Sequence, residues 1–209
     1  PGAFIGSQCH IHVHGKAPIL AEVVGFKDQK ALMMPFSEIQ GVGLGSKIVL
    51  DRQVSTVKVS KKILGRLLNG LGQPIDGKED IDFTDELEIY KTSVNPLARR
   101  PIREPLDLGV RAINSLISVG QGQRVGIMAG SGVGKSVLLG QIARNTKADV
   151  NVIALVGERG REVKEFIESD LGEEGLKRSV VIVATSDESP LMRMRGAFVA
   201  TAVAEYFCS

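Results

Sequence analysis

The chain has 209 residues, 43% of them hydrophobic, long for one ordinary domain and sufficient for a small domain plus most of a larger one. Its formal net charge is +2, with 26 basic and 24 acidic residues interleaved, and its 4% aromatics include no Trp; a basic stripe or stacking platform for a nucleic acid is therefore excluded as an expectation. Two cysteines near opposite ends, Cys9 and Cys208, do not make a disulfide scaffold and point to a reducing, cytosolic compartment; no apolar run reaches the ~18 residues that span a bilayer, and no signal peptide is recognisable.

The first 60 residues read as short strands. Residues 8–14 alternate, with Cys9, Ile11 and Val13 on one face and His10, His12 and His14 on the other. Residues 20–25, 31–34, 47–50 and 54–59 are further strands, separated by turns at 15–18, 27–29 and the glycine-rich 41–45. Close spacing of short strands predicts a small N-terminal β-barrel over 1–60. The three histidines have a spacing that can chelate a metal, but an exposed strand face is the simpler reading. Residues 61–105, punctuated by Gly65, Gly70, Gly72, Pro74, Gly77, Pro96, Pro101 and Pro105, predict a loop-rich linker and entry into a second domain.

From residue 106 the period changes. Residues 106–117, 135–146, 160–171 and 190–207 are helical in pattern, and 123–128, 150–156 and 179–185 are short apolar runs without alternation. Strands buried on both faces and alternating with helices predict an α/β domain with a parallel sheet over 106–209. The sequence begins at Pro1 and stops directly after a helical stretch, and is expected to be a piece of a longer protein.

Between the 123–128 strand and the 135–146 helix stands Ala129-Gly130-Ser131-Gly132-Val133-Gly134-Lys135-Ser136. Glycines at such a turn let consecutive N–H groups face phosphates, and the helix N-terminus adds its positive dipole end. Lys135 is placed against β and γ phosphates and the Ser136 hydroxyl against Mg²⁺, so ATP and Mg²⁺ are the expected cofactors. The first position is Ala129 where the usual pattern has Gly; Gly130 beside it supplies the freedom. The 150–156 strand ends in Gly157-Glu158-Arg159-Gly160-Arg161-Glu162. Ligands of open parallel sheets bind at the carboxyl ends of strands. Glu158 is therefore placed to orient an attacking water and accept its proton, Arg159 to neutralise developing charge, and Glu162 to hold the Mg²⁺ water shell.

These segments, with Gln121 to Gly126, Asn95-Pro96-Leu97-Ala98-Arg99-Arg100-Pro101-Ile102, Glu165-Phe166-Ile167-Glu168-Ser169-Asp170-Leu171-Gly172, Val183-Ala184-Thr185-Ser186-Asp187 and Ala204-Glu205-Tyr206-Phe207, resemble the rotary ATPase superfamily, and within it the type III secretion ATPases, flagellar branch. The resemblance covers essentially the whole chain. It implies a RecA-like nucleotide-binding domain behind an N-terminal barrel, a homohexamer, and coupling of ATP hydrolysis to release or unfolding of export substrates. It further implies export chaperones and regulatory and stalk proteins as partners, no nucleic acid, and a cytoplasmic location peripheral to the inner-membrane export gate. Lys135 and Ser136 take the family's loop roles, Glu158 that of its catalytic glutamate, and Arg159 that of the following arginine; Arg193 and Arg195 both fall near its active-site arginine. The family's Mg²⁺-binding aspartate, arginine finger and C-terminal domain are expected after residue 209, so weak binding and poor hydrolysis are expected of this piece alone. The alternatives are a catalytic or regulatory subunit of a rotary ATP synthase and a RecA-like nucleic-acid translocase. The carboxylate at Glu158 argues against a non-catalytic subunit, in which an amide stands there.

Overall fold

The structure, a computed structural model, describes residues 2–52, 55–91, 94–130 and 132–208, with Arg52 described by its backbone alone. Ser131 of the phosphate loop and the start of the expected 54–59 strand fall outside the described residues.

The N-terminal strands are β1 (Gln8–Ile11), β2 (Ile19–Lys27), β3 (Lys30–Pro35) and β4 (Ile48–Arg52). They form one antiparallel sheet in the order β3-β2-β1-β4. Asp28 and Gln29 both have positive φ, +47° and +61°, the pairing that a two-residue type I′ hairpin turn requires and that matches strand twist. The alternation expected of β1 is present: Cys9, Ile11 and Val13 are buried. On the outer face His10 pairs with Asp51 at 3.9 Å. The strand ends at Ile11, three residues before His14. Among the described residues no pairing joins the edge strands β3 and β4, so the expected barrel is an open four-stranded sheet here.

The stretch expected as a loop-rich linker carries more structure than its glycines and prolines suggest. It contains β6 (Leu67–Asn69) and β7 (Asp85–Glu88). β7 pairs antiparallel with β5 (Thr56–Val59). β6 enters the parallel sheet, whose order is β10 (Asn151–Val156), β11 (Ser179–Ala184), β6. Val57, Val59, Ile63, Leu68, Ile81 and Ile89 share one buried cluster with Val180, Ile182, Val199 and Val203. These apolar side chains draw residues 55–90 into the body of the second layer system, because only there can they leave water.

Downstream lie β8 (Pro105–Leu106), the short helix α1 (Arg111–Leu116), β9 (Val119–Gly120), α2 (Lys135–Asn145), α3 (Gly160–Glu165), α4 (Gly172–Lys177) and α5 (Pro190–Cys208). A π-helical turn, Phe166–Leu171, joins α3 to α4. The parallel α/β architecture is as expected, but residues 123–128 form no strand. Val125 is exposed and Met128 is 95% exposed. A strand in a parallel sheet needs a ladder partner and two covered faces, and neither reaches this segment. The free edge of β10 is bordered instead by an apolar groove of about 540 Å³ lined by Leu139, Ile142, Val152, Ala154 and Phe166.

Entry into β6 is fixed by a charged pair. Arg66 Nε and Nη2 donate to Asp76 Oδ2 and Oδ1 at 2.6 and 2.8 Å, and the backbone N–H groups of Leu67 and Lys78 donate to the same carboxylate. The Arg66 hydrogen bonds hold the Asp76 carboxyl down at about 2, against an ordinary 3.8. A depressed carboxyl contributes stability above its unfolded value and loses it as pH falls through the folded one. We expect Asp76 to contribute about 2 kcal/mol at neutral pH, lost between pH ~4 and ~2. Urea melts of the native chain and Asp76→Asn should therefore differ by that amount at pH 7 and converge at the acid end.

Candidate nucleotide site

The phosphate loop closes on α2 as its glycines demand. Gly132 and Gly134 have φ of +75° and +93°, conformations that a side chain opposes. Gly134 is the N-cap of α2 and no side chain caps it. The first N–H groups of the helix thus face a cleft with the positive end of the helix dipole behind them, the arrangement that binds anions. At the far end of α2, Asn151 Nδ2 donates to the Ala143 carbonyl at 2.8 Å, and Arg178 donates to the Thr146 carbonyl at 3.0 Å and to that of Ala148. These bonds tie the helix to the start of β10 and to the residue preceding β11.

The cleft has a volume of about 370 Å³ and is lined by Gly130, Gly132, Gly134, Lys135, Ser136 and Val137 from the loop and α2. Glu158 and Glu162 line it from the β10 tip and α3, and Glu165 and Asp170 from beyond. Such a volume is in the range of small-ligand sites. Lys135 Nζ lies 3.9 Å from Glu158 Oε1, with the two side chains 43% and 37% exposed. A pair this open to water adds at most about 1 kcal/mol to stability; it brings an ammonium and a carboxylate to one point. Glu158 is placed by backbone bonds on both sides: Gly157 N–H donates to the Ala184 carbonyl at 2.8 Å, and Ser186 N–H donates to the Glu158 carbonyl at 2.9 Å.

The other expected residues divide. Ser136 lines the cleft, while Val133 is exposed beside it. Arg159, expected at the terminal phosphate, is 74% exposed and donates through Nη1 to Glu162 Oε1 at 2.8 Å. That hydrogen bond holds the Glu162 carboxyl below its usual range. Neither Arg193 nor Arg195 lines the cleft. Arg195 is 1% exposed and binds Glu22 of β2, because β2 supplies a carboxylate and Thr56 of β5 a carbonyl that a buried guanidinium needs. Glu165 and Asp170 were not singled out by motif. Glu165 carries a positional signal: it follows Glu162 by three residues, which puts the two side chains on one face of α3, whereas Asp170, in the π-helical turn, has no such spacing. Among the described residues no three His, Cys, Asp or Glu side chains cluster closely enough to hold a metal alone. A phosphate-borne Mg²⁺ needs only one or two protein oxygens, and the Ser136 hydroxyl fits that demand.

A strand-tip carboxylate facing an uncapped, glycine-led helix with a lysine at its first position defines a P-loop nucleotide-binding domain. Residues 109–209 match the model of the ATP synthase alpha/beta family, nucleotide-binding domain. Across 99% of its length the chain is 51% identical to the flagellum-specific ATP synthase of Bacillus subtilis (strain 168), covering 48% of that relative. It is 46% identical to the flagellum-specific ATP synthase of Aquifex aeolicus (strain VF5), covering 47% of it. Its structure is similar to that of the assembled ATPase EscN from the type III secretion system of enteropathogenic E. coli: TM-score 0.88 at 40% identity, over 99% of this chain and 50% of that one. The chain therefore spans about half the length of the curated relatives it matches.

α2 is seated by Gly140, where a Cβ would come within 2.5 Å of the Asp170 carbonyl oxygen and 2.7 Å of its Cβ. Gly140→Ala must push the helix away from the π-helical turn. We expect it to cost about 1–3 kcal/mol and to weaken nucleotide binding; a urea melt paired with a fluorescent-nucleotide titration reads both, and a variant as stable and as tight as the native chain would contradict the seating argument.

Proposed function

We propose that this chain is the phosphate-binding part of an ATPase that drives protein export, of the flagellar type III kind. The observation that carries the reading is the Lys135–Glu158 approach of 3.9 Å in a cleft floored by an uncapped helix start. The terminal phosphate enters between these two side chains. Backbone N–H groups from Gly132 to Lys135 donate to oxygens of the β and γ phosphates, and Lys135 offsets their charge. The Ser136 hydroxyl would hold a Mg²⁺ ion carried in with the phosphates, and such an ion would supply further positive charge there. Glu158 orients a water toward the γ phosphorus and takes its proton as the bond to the departing ADP oxygen breaks. Arg159 acts through its bond to Glu162, fixing that carboxylate at the rim.

The N-terminal sheet is read as an open barrel forming the collar of a homohexameric ring. EscN has been solved assembled and in complex with its central stalk EscO, which supports a ring and a stalk partner for the whole protein. Export substrates, their chaperones and regulatory proteins complete the proposed partners, and the site of action is the cytoplasmic side of the export gate. Attachment at the gate is proposed to be peripheral; no helix among the described residues is long and apolar enough to cross a membrane. A rotary ATP synthase subunit is the less favoured reading, because the chain's resemblance to export ATPases extends through the N-terminal sheet.

In the full-length protein, Glu158→Gln should lower steady-state ATP turnover by about 10²–10⁴-fold while changing nucleotide affinity by less than about threefold, since Lys135 and the loop amides remain. Phosphate release and fluorescent-nucleotide binding measure the two; undiminished turnover would remove Glu158 from its role.

A further inference from the structure

Arg195 and Gly196 are consecutive residues of α5 that face two different parts of the molecule. On one side the Arg195 guanidinium is inserted among the N-terminal strands. Nη1 donates to Glu22 Oε2 at 3.3 Å and Nη2 to the Thr56 carbonyl at 2.9 Å. With its amide oxygen turned toward the guanidinium, Gln8 accepts from Nη1 and Nη2 at 3.0 and 3.1 Å. Glu22 is held in turn by the Tyr90 hydroxyl, which donates to Oε1 at 3.1 Å, and by the Ser55 hydroxyl at 3.1 Å from Oε2. The Phe36 ring lies 5.5 Å from Arg195 Cζ.

On the other side Gly196 lets α5 lie close to the strand tips: a Cβ there would stand 3.2 Å from Ala184 Cβ and 3.7 Å from Val156 Cγ2. Val156 is two residues before Glu158, and the Ala184 carbonyl accepts from Gly157. Phe36 and Leu20 of the N-terminal part pack in one cluster with Ala184, Leu191 and Met192. A buried ion pair contributes little stability beyond that of apolar residues of equal volume, and its directed bonds fix geometry instead. Here they fix the N-terminal sheet to the helix that backs the Glu158 strand tip.

We propose that Arg195 is a positioning residue: through α5 it couples the N-terminal sheet to the tips of β10 and β11, so that nucleotide in the Lys135–Glu158 cleft and packing of the sheet stabilise one another. The inference rests on the nucleotide reading of the cleft. Coupling of this kind is reciprocal, so it can be read at the sheet when ligand is added at the cleft. A role in folding alone would shift exchange with and without ligand equally.

The test is amide hydrogen exchange of the full-length protein with and without Mg²⁺ and a non-hydrolysable ATP analogue, in the native sequence, Arg195→Lys and Tyr90→Phe. The analogue should slow exchange over 132–137 and 157–159 in all three proteins. In the native sequence it should also slow exchange over 19–24, and that distal response should fall about threefold or more in both variants. Tyr90→Phe removes one hydroxyl and keeps the ring, so it carries the test if Arg195→Lys does not fold. Protection of the loop with no response over 19–24 in the native sequence, or an undiminished response in the variants, would overturn the coupling and leave the nucleotide reading intact. No protection at the loop in the native sequence would remove the nucleotide reading and this inference with it.

Discussion

The parallel pairing of β10 with β11 governs the rest of the structure. Six positions are in register, from Asn151 opposite Ser179 to Val156 opposite Ala184, so both strands leave the sheet at the same level. Side chains on successive strand positions point to opposite faces, and a slip of one residue would turn Val181 out of the cluster with Phe166 and Leu171. Because the register is set by burial, the chain reversal at Gly157 is placed too. Glu158 then projects where the backbone of residues 184–186 can clasp it. The chemistry at this tip is a consequence of apolar packing several residues upstream.

The second constraint is the seating of α2 against the turn that follows α3. Gly140 allows the close approach, and Ala143 joins the cluster of Leu155, Val163, Phe166 and Val181. The helix start is thereby aimed at the β10 tip with its first amides uncapped. Polar and apolar demands divide the labour. Apolar contacts fix where α2 lies; the glycines of the loop decide that its N-terminus stays open; Lys135 and Glu158 supply opposite charges that water alone separates from any anion entering between them. The pair is too exposed to hold the fold together, which leaves it free to exchange its partner for a phosphate.

Much of this was legible in sequence, for identifiable reasons. α2, β10, β11 and α5 are each longer than one turn or a few strand residues and carry a clear period, and the observed bounds lie within a residue or so of those expected. The β2–β3 turn is marked by Asp28, a residue type that tolerates positive φ, although Gln29 adopts it too. β6 was hidden because three residues among glycines and a proline carry no period; its place follows from Leu68 finding a cluster contributed by α5 and β11. The 123–128 segment misled in the opposite direction, since an apolar run before a glycine-rich loop reads as a strand whether or not a partner is beside it. Arg195 misled by sequence proximity. Its carboxylate, Glu22, stands 173 residues away, and no local pattern announces a pair of that separation. Glu158 and Lys135 were legible because loop and strand tip each have a chemical signature, although their meeting depends on the sheet.

The central claim is that a terminal phosphate is held between Lys135 and Glu158. A crystal structure of the full-length protein with Mg²⁺ and a non-hydrolysable ATP analogue tests it most directly. The account predicts the γ phosphate within about 3 Å of Lys135 Nζ and of loop N–H groups, with Glu158 reaching it directly or through one water. A triphosphate bound elsewhere, or bound at the loop with Glu158 turned away from it and Lys135 out of reach of the γ phosphate, would contradict the account.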